Sequence, residues 1–509
     1  MLRQRSRFVV LGAALVAGCA GRAAPGPGVA SGSGSIDPSA PPALDAIDAS
    51  EIRRDLFTLA GDAMRGREAG TLDELRASAW IADRARAAGL EPAGDDGSYF
   101  QFWPMRRTVT SPSSRVQLDG RAVRLGTDAF LVTPVNATLS GRVTWLGTSA
   151  DGTDGQSLEG KIVAAELTAP TNVPPRGMSL WSARWTINAI GDRVRALTAK
   201  RVAAILIVSD TIAEPELSGF YGQVLARGRY GIDSTGAAPQ GGGVPVVWLS
   251  RSYMDALRRS PSTVSIAVDF DSYVYPSVNV VARVRGTDAT LRDEYVLFSA
   301  HQDHDGVRAP VRGDSIYNGA DDNASVSVGI LAIGRAFARR PGRRSALFVW
   351  HGAEERGLLG SRWHAAHPVV PRDRIVAVLN ADMIGNNHPD TAGLLGVQPP
   401  HRNSRELARM AIEANARVSR FVIDSTWDRP SHPEFWYFRS DHVPYARAGI
   451  PSIYFSTLPH PLYHTPDDEP ETIDVAKLTR VARWMYATGW SVATTAARPG
   501  VDDGFKLER

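Results

Sequence analysis

All eleven histidines of this chain fall between His301 and His464, and the first 300 residues contain none. Acids are interleaved with them: Asp303 and Asp305, Asp321-Asp322, Glu354-Glu355, Asp382, Asp441 and Asp467-Asp468. Imidazole nitrogen and carboxylate oxygen are donors that a divalent cation such as zinc takes. Their concentration points to a metal-dependent hydrolase whose chemistry lies in the C-terminal half.

Each cluster follows an apolar run of strand length. His301 directly follows Tyr295–Ala300, and Asp303 stands at the spacing of a carboxylate that accepts the ring N–H of a ligating histidine. The turn from Asn318 to Ser325 carries Gly319, Asp321, Asp322 and Asn323 into a helix start. A carboxylate there can bridge two cations, or can simply cap the helix. Glu354-Glu355 follows Ala346–Trp350. Adjacent acids at the end of a buried strand repel and are hard to desolvate. A nearby metal resolves this if one acid coordinates it and the other faces substrate. Asp382 follows Ile375–Leu379, and His464 lies in a loop after Ser452–Phe455.

The elements that must position these residues alternate. Strand-like runs at Asn279–Val284, Tyr295–Ala300, Ala346–Trp350, Ile375–Leu379 and Ser452–Phe455 are separated by helical stretches at Ala324–Arg339, Leu358–Ala366, Ser404–Ala416 and Asp474–Ala493. The pattern predicts an α/β fold: a mixed, mostly parallel sheet sandwiched by helices, with the site at the carboxyl ends of the strands. Two more helices are predicted at Glu51–Leu59 and Thr71–Ala88, the second stopped by Gly89. Between about 130 and 270 short β-type runs recur, which predicts a β-rich insertion. There Trp181, Trp185 and Gly241–Gly243 either line a groove or serve as core and turn.

At 509 residues the chain is too long for one ordinary core. The expected division is a leader over 1–18, a flexible tether over 19–44, a catalytic domain over 45–130 and 273–495, an insertion over 131–272, and a tail over 496–509. Arg3, Arg5 and Arg7 precede an apolar run, Phe8–Ala17, that is too short to span a bilayer. Those arginines supply the whole formal charge of +3. What remains is neutral, which gives nucleic-acid binding no electrostatic support. Cys19 is the only cysteine, so no intramolecular disulfide is available. Leu15-Val16-Ala17-Gly18-Cys19 resembles a bacterial lipobox. That resemblance implies export and a lipid anchor on Cys19 in the cell envelope, and Ala20 favours the outer membrane.

Taken in order, the C-terminal motifs resemble the co-catalytic dizinc exopeptidases, a family that includes bacterial leucyl-type aminopeptidases and glutamate carboxypeptidase. The segments are Ser299–His304, Gly313–Ser325, Ala353–Ser361, Asn380–Met383, Ser440-Asp441-His442 and Tyr463-His464-Thr465. Ala87–Gly94 is similar to the family as well. Gly160–Val163, Ala203–Ile207 and Val244–Val247 resemble its inserted protease-associated domain. The resemblance implies two zinc ions per chain and peptide substrates. Asp322 would bridge the metals, His301 and Asp382 would complete one site, and Glu355 and His464 the other. Glu354 would be the general base for a metal-bridging water, and Asp303 the partner of His301. Val326 departs from the family's frequent glycine, which implies a packing change.

The implied activity is that of an aminopeptidase. A carboxypeptidase of the same fold needs a cationic pocket, for which Arg308, Arg312 and Arg439 are available. A glutaminyl cyclase and a non-catalytic receptor are the other readings. His304, His351 and His442 are expected near the pocket. His364, His367, His388, His401, His432 and His460 are expected on helix surfaces or loops. Trp436, Tyr437 and Phe438 either wall a specificity pocket or belong to the core.

Overall fold

The alternation after Ser277 folds as a mixed sheet of ten strands. This is a computed structural model, and it describes residues 41–148, 157–168, 181–211, 213–214, 222, 224, 227–234, 243–259, 261–432 and 434–507. The expected leader and most of the tether lie outside these residues, as do Gly241, Gly242 and the side chains of Trp181 and Trp185.

The centre of the sheet is parallel. Tyr295–His301 lies between Ser345–His351 and Ile375–Ala381, and Ser452–Ser456 follows on the far side. The long strand Phe270–Val284 pairs antiparallel with Ser345–His351 and with Phe100–Thr110. Beyond Ser452–Ser456 come Thr391–Leu395 and Val422–Asp424.

Side chains alternate across this sheet, as strand geometry requires. Phe298, Phe348 and Trp350 face the helices Ala49–Leu59, Val326–Arg339 and Val475–Thr494. Leu297, Leu347 and Val349 face the opposite way, toward Ala365 and Tyr445 on the shorter helices Leu359–Ala366 and His442–Arg447. Gly489 allows close approach on the first face, because a Cβ there would sit 2.1 Å from Phe298 Cζ. Four of the expected helices carry side-chain N-caps: Asp48 accepts from Ser50 N and Glu51 N, Thr71 from Asp73 N, Ser404 from Leu407 N, and Asp474 from Lys477 N. Val326 starts its helix fully buried.

A second sheet of eight strands runs in the order Arg121–Val123, Arg115–Leu118, Thr263–Val268, Ala137–Trp145, Ile162–Leu167, Ala204–Ser209, Val246–Leu249 and Ala129–Leu131. Two features differ from expectation. The change of sheet falls between Thr110 and Arg115, not at 130/131, because Arg115–Leu118 pairs with Thr263–Val268. The segment is also not β alone: Trp181–Thr198 is an 18-residue helix, packed on this sheet through Ile190 and Leu197. One strand of the insertion leaves its own sheet. Arg229–Ile232 pairs with Met105–Thr108 and forms an edge of the ten-stranded sheet.

Candidate metal centre

Five strand ends and loops deliver the donors to one place. His301 ends its strand, and Asp382 follows Ile375–Ala381 directly. Glu354 and Glu355 form a short turn after Ser345–His351. Asp322 lies in the turn that opens the Val326–Arg339 helix. Left-handed backbone recurs here, at Ala353 (φ 54°), Met383 (φ 56°) and His464 (φ 54°). Such non-glycine strain gathers at functional sites.

Asp322 stands between the two histidines. His301 Nε2 is 3.2 Å from Asp322 Oδ1, and His464 Nε2 is 3.1 Å from Oδ2. His301 Nε2 also lies 3.4 Å from Asp382 Oδ1, and His464 Nε2 lies 3.2 Å from Glu355 Oε2. Two donors on one tetrahedral zinc at about 2.0–2.2 Å stand roughly 3.3–3.5 Å apart, so these separations match coordination edges. The donors form two groups, each within 4.8 Å: His304, Asp322, Glu355 and His464 in one, His301, Glu354 and Asp382 in the other. Asp382 Oδ1 and His464 Nε2 are buried yet make no hydrogen bond. Unsatisfied buried donors at coordination spacing fit a pair of cations.

Electrostatics point the same way. Burial opposes charge on His301, but Glu354, Asp382 and Asp322 outweigh it and hold the imidazole well above its usual range. Burial, reinforced by Asp382 and Glu355, pushes Glu354 well above the ordinary carboxylate range. Burial would also raise Glu355, yet His464 and His304 hold it low. Glu354 is thus the carboxyl group of the pair with the stronger hold on a proton.

Asp303 is arranged differently from expectation. Its backbone carbonyl, not its carboxylate, lies 3.1 Å from His301 Nδ1. The carboxylate Oδ1 is 3.9 Å from that nitrogen and instead accepts the N–H of Glu354 (3.0 Å), while Oδ2 accepts that of Glu355 (3.3 Å). Asp321 and Asp322 also separate clearly. Asp321 Oδ1 accepts from Gly385 N at 2.6 Å, and Oδ2 faces His460 Nε2 at 3.2 Å, so Asp321 turns away from His301 and His464. Asp468 accepts the backbone N–H groups of both aspartates.

Three histidines expected on the surface are buried, because each has a polar partner. His364 meets Tyr445 Oη at 2.7 Å, His401 meets Asp428 at 3.0 Å, and His460 meets Asp321. His304 makes a 2.8 Å contact with Glu355 Oε1. His351 is buried behind the site, 3.2 Å from Tyr445 Oη, and His442 stacks on Tyr454. Trp436 and Tyr437 belong to a buried cluster with Met383, Leu395 and Leu458, and partly buried Phe438 and Tyr463 pack against it.

Sequence reasoning missed Arg67. It is fully buried and donates to the carbonyl oxygens of Leu59, Gln302, Asn318 and Gly319. It therefore ties the residue after His301 to the turn that presents Asp322. The only available hint was its place between Gly66 and Gly70. A Cβ on Gly66 would come 2.4 Å from Tyr317 O, so that turn is pressed against the site.

Residues 279–489 match peptidase family M28. The M28 region includes every donor named above. A probable leucine aminopeptidase of Trichophyton verrucosum is 29% identical over 211 residues, covering 40% of this chain and 55% of that protein. A probable zinc metalloprotease of Pyrenophora tritici-repentis is 24% identical over 322 residues, covering 53% of this chain and 72% of that protein. The chain spans about half the length of the curated leucine aminopeptidases it matches. Among solved structures, an aminopeptidase from Aneurinibacillus sp. strain AM-1 aligns with a TM-score of 0.57 at 19% identity, over 90% of this chain and 96% of that one. A zinc aminopeptidase from Bacillus subtilis aligns with a TM-score of 0.52 at 18% identity, over 90% of this chain and 98% of that one. The fold around the M28 region is the expected zinc exopeptidase fold.

Proposed function

We propose that this chain is a zinc-dependent exopeptidase that removes N-terminal residues from peptides. The observation that carries the reading is Asp322, whose two oxygens face His301 and His464 separately. His301 and Asp382 would hold one zinc, Glu355 and His464 the other, with Asp322 shared between them. Zinc, when bound, supplies Lewis acidity toward a peptide carbonyl and lowers the pKa of water.

The chain's own groups supply the rest. Glu354 sits beside the donors, 4.0 Å from His301 Nε2, and its raised proton affinity suits a group that takes a proton and returns it to the leaving amine. Asp303 fixes Glu354 through the main chain. Tyr463 packs beside His464, with ring centroids 4.0 Å apart, and meets the buried Trp436 edge-on at 6.0 Å.

The pairing of the arginines favours an aminopeptidase over a carboxypeptidase. Arg308 pairs with Asp305, Arg312 with Asp467, and Arg439 with Glu434 at 3.2 Å. All three already face acids, so a substrate carboxylate would have to displace one. Aminoacyl anilides and N-acetylated peptides with a free C-terminal carboxylate, with zinc measured in parallel, test the reading. Turnover of the free-amine substrates alone, with two zinc ions per chain, is expected. Preference for blocked substrates would favour the carboxypeptidase.

Residues 8–19 support a further part of this reading, a lipid anchor on Cys19 in the bacterial envelope. Among the described residues no helix is long and apolar enough to cross a membrane. Incorporation of labelled fatty acid that Cys19→Ser abolishes is the expected result, and equal labelling of both forms would refute it.

A further inference from the structure

The second ring nitrogen of His464 faces a carboxylate that belongs to neither donor group. His464 Nδ1 is 3.4 Å from Asp305 Oδ2. That oxygen is buried and makes no hydrogen bond. If Nε2 gives its lone pair to a cation, Nδ1 must carry the proton. A shift of a few tenths of an ångström, about the scatter of such bonds, completes Nδ1–H···Oδ2.

Asp305 does not face His464 by chance orientation, because its other oxygen is held. Oδ1 lies 2.9 Å from Arg227 Nη1 and 3.4 Å from Arg356 Nη1, and Arg308 reaches it too. The whole side chain is 2% exposed. Arg308 and Arg356 belong to the M28 region, whereas Arg227 comes from the insertion, directly before the strand Arg229–Ile232 that joins the catalytic sheet. Arg227 is itself held, since its carbonyl accepts from Arg107 Nε at 2.6 Å. Tyr230, on that same strand, lies under the Arg356 guanidinium at 5.3 Å.

We propose that Asp305 is a positioning residue for His464, and that Arg227 of the insertion holds Asp305 in that orientation. The insertion thereby governs cation retention at the Glu355–His464 site. This rests on the metal assignment made above. His464 needs such support more than His301 does: its side chain is 31% exposed, against 1% for His301, so packing alone does not fix its ring.

The test is zinc affinity of the full chain, measured by competition with a chromogenic chelator, for wild type, His464→Ala, Asp305→Asn and Arg227→Gln. His464→Ala should lose tight binding of one zinc. Asp305→Asn should weaken that same zinc roughly 10–100-fold, the usual effect of removing a partner behind a ligand, and leave the other unchanged. Arg227→Gln should weaken the same zinc by a smaller factor. Wild-type affinity at both sites in Asp305→Asn and Arg227→Gln, with one zinc lost in His464→Ala, overturns the proposal and leaves the metal assignment standing. Two tight zincs in His464→Ala overturn the assignment itself, and the proposal falls with it. Should Asp305→Asn fail to fold, Arg227→Gln decides: selective weakening of one zinc supports the link, and unchanged affinity refutes it.

Discussion

Asp303 holds Glu354 by its main chain: its carboxylate accepts the Glu354 N–H at 3.0 Å and the Glu355 N–H at 3.3 Å. One buried carboxylate thus sets the turn that presents both glutamates. Asp303→Ala leaves two buried N–H groups unpaired and lets the turn drift. We expect kcat to fall about 100-fold, the effect of a misplacement near 1 Å, with a weaker hold on one zinc. Steady-state kinetics with metal analysis checks this, and kcat within twofold of wild type would contradict it.

Glu354→Gln separates proton transfer from metal binding. The amide keeps the shape and loses the base. Zinc content should stay at the wild-type level while turnover drops roughly 100- to 10,000-fold. A variant with full turnover would remove Glu354 from the chemistry.

Arg67→Met tests the anchor beneath the site. Methionine preserves much of the bulk but donates nothing to the four carbonyls that Arg67 now satisfies. Each buried acceptor left unpaired is worth about 1–3 kcal/mol. Unfolding in urea should show a loss of at least about 3 kcal/mol, and a loss below about 1 kcal/mol would refute the role.

Acid should weaken the fold through buried neutral histidines. Burial holds His364 and His442 at about 3, against 6.5 for the free side chain. Between these values the unfolded chain binds protons that the folded chain refuses. The stability is therefore intact above pH 6.5 and drains away as pH falls toward 3. By linkage the loss is about 3 kcal/mol per histidine near pH 4.5. His364→Gln should lose that much less than wild type between neutral pH and about 4.5 in paired urea titrations. Equal losses would show that His364 is not involved.

Chelation should lower the melting temperature, and added zinc should restore it. Removing the cations leaves buried Asp322, Glu354 and Asp382 and half-buried Glu355 crowded together. Calorimetry with and without chelator checks this, and an unchanged melting temperature would argue against a resident metal.

Much of this architecture was legible because burial leaves a periodic trace. Tyr295–Ala300, Ala346–Trp350 and Ile375–Leu379 are continuous apolar runs, as strands covered on both faces must be, and the donors stand where those runs stop. Phe100–Thr110 was not legible. Pro104 interrupts it, and it faces Pro276 across the pair, so neither needs an N–H donor there. Trp181–Thr198 was obscured by Gly191 and by its β-branched residues Thr186, Ile187, Ile190 and Val194, which weaken a helical signal. Arg229–Ile232 alternates, with Tyr230 and Ile232 packed against a buried cluster, but over only four residues the pattern is too short to stand out. Three of the four carbonyls that Arg67 holds lie 235 or more residues away, and Asp305 meets Arg227 at a distance of 78 residues, and no local spacing reports such pairings.

The strand Arg229–Ile232 also bears on engineering. It caps the hydrogen-bonding groups of Met105–Thr108 at the margin of the ten-stranded sheet. A trimmed chain lacking the second sheet would bare that row of amides and carbonyls, which is a template for sheet-to-sheet aggregation. The insertion is therefore no detachable cassette: it shields the edge of the ten-stranded sheet from neighbouring molecules.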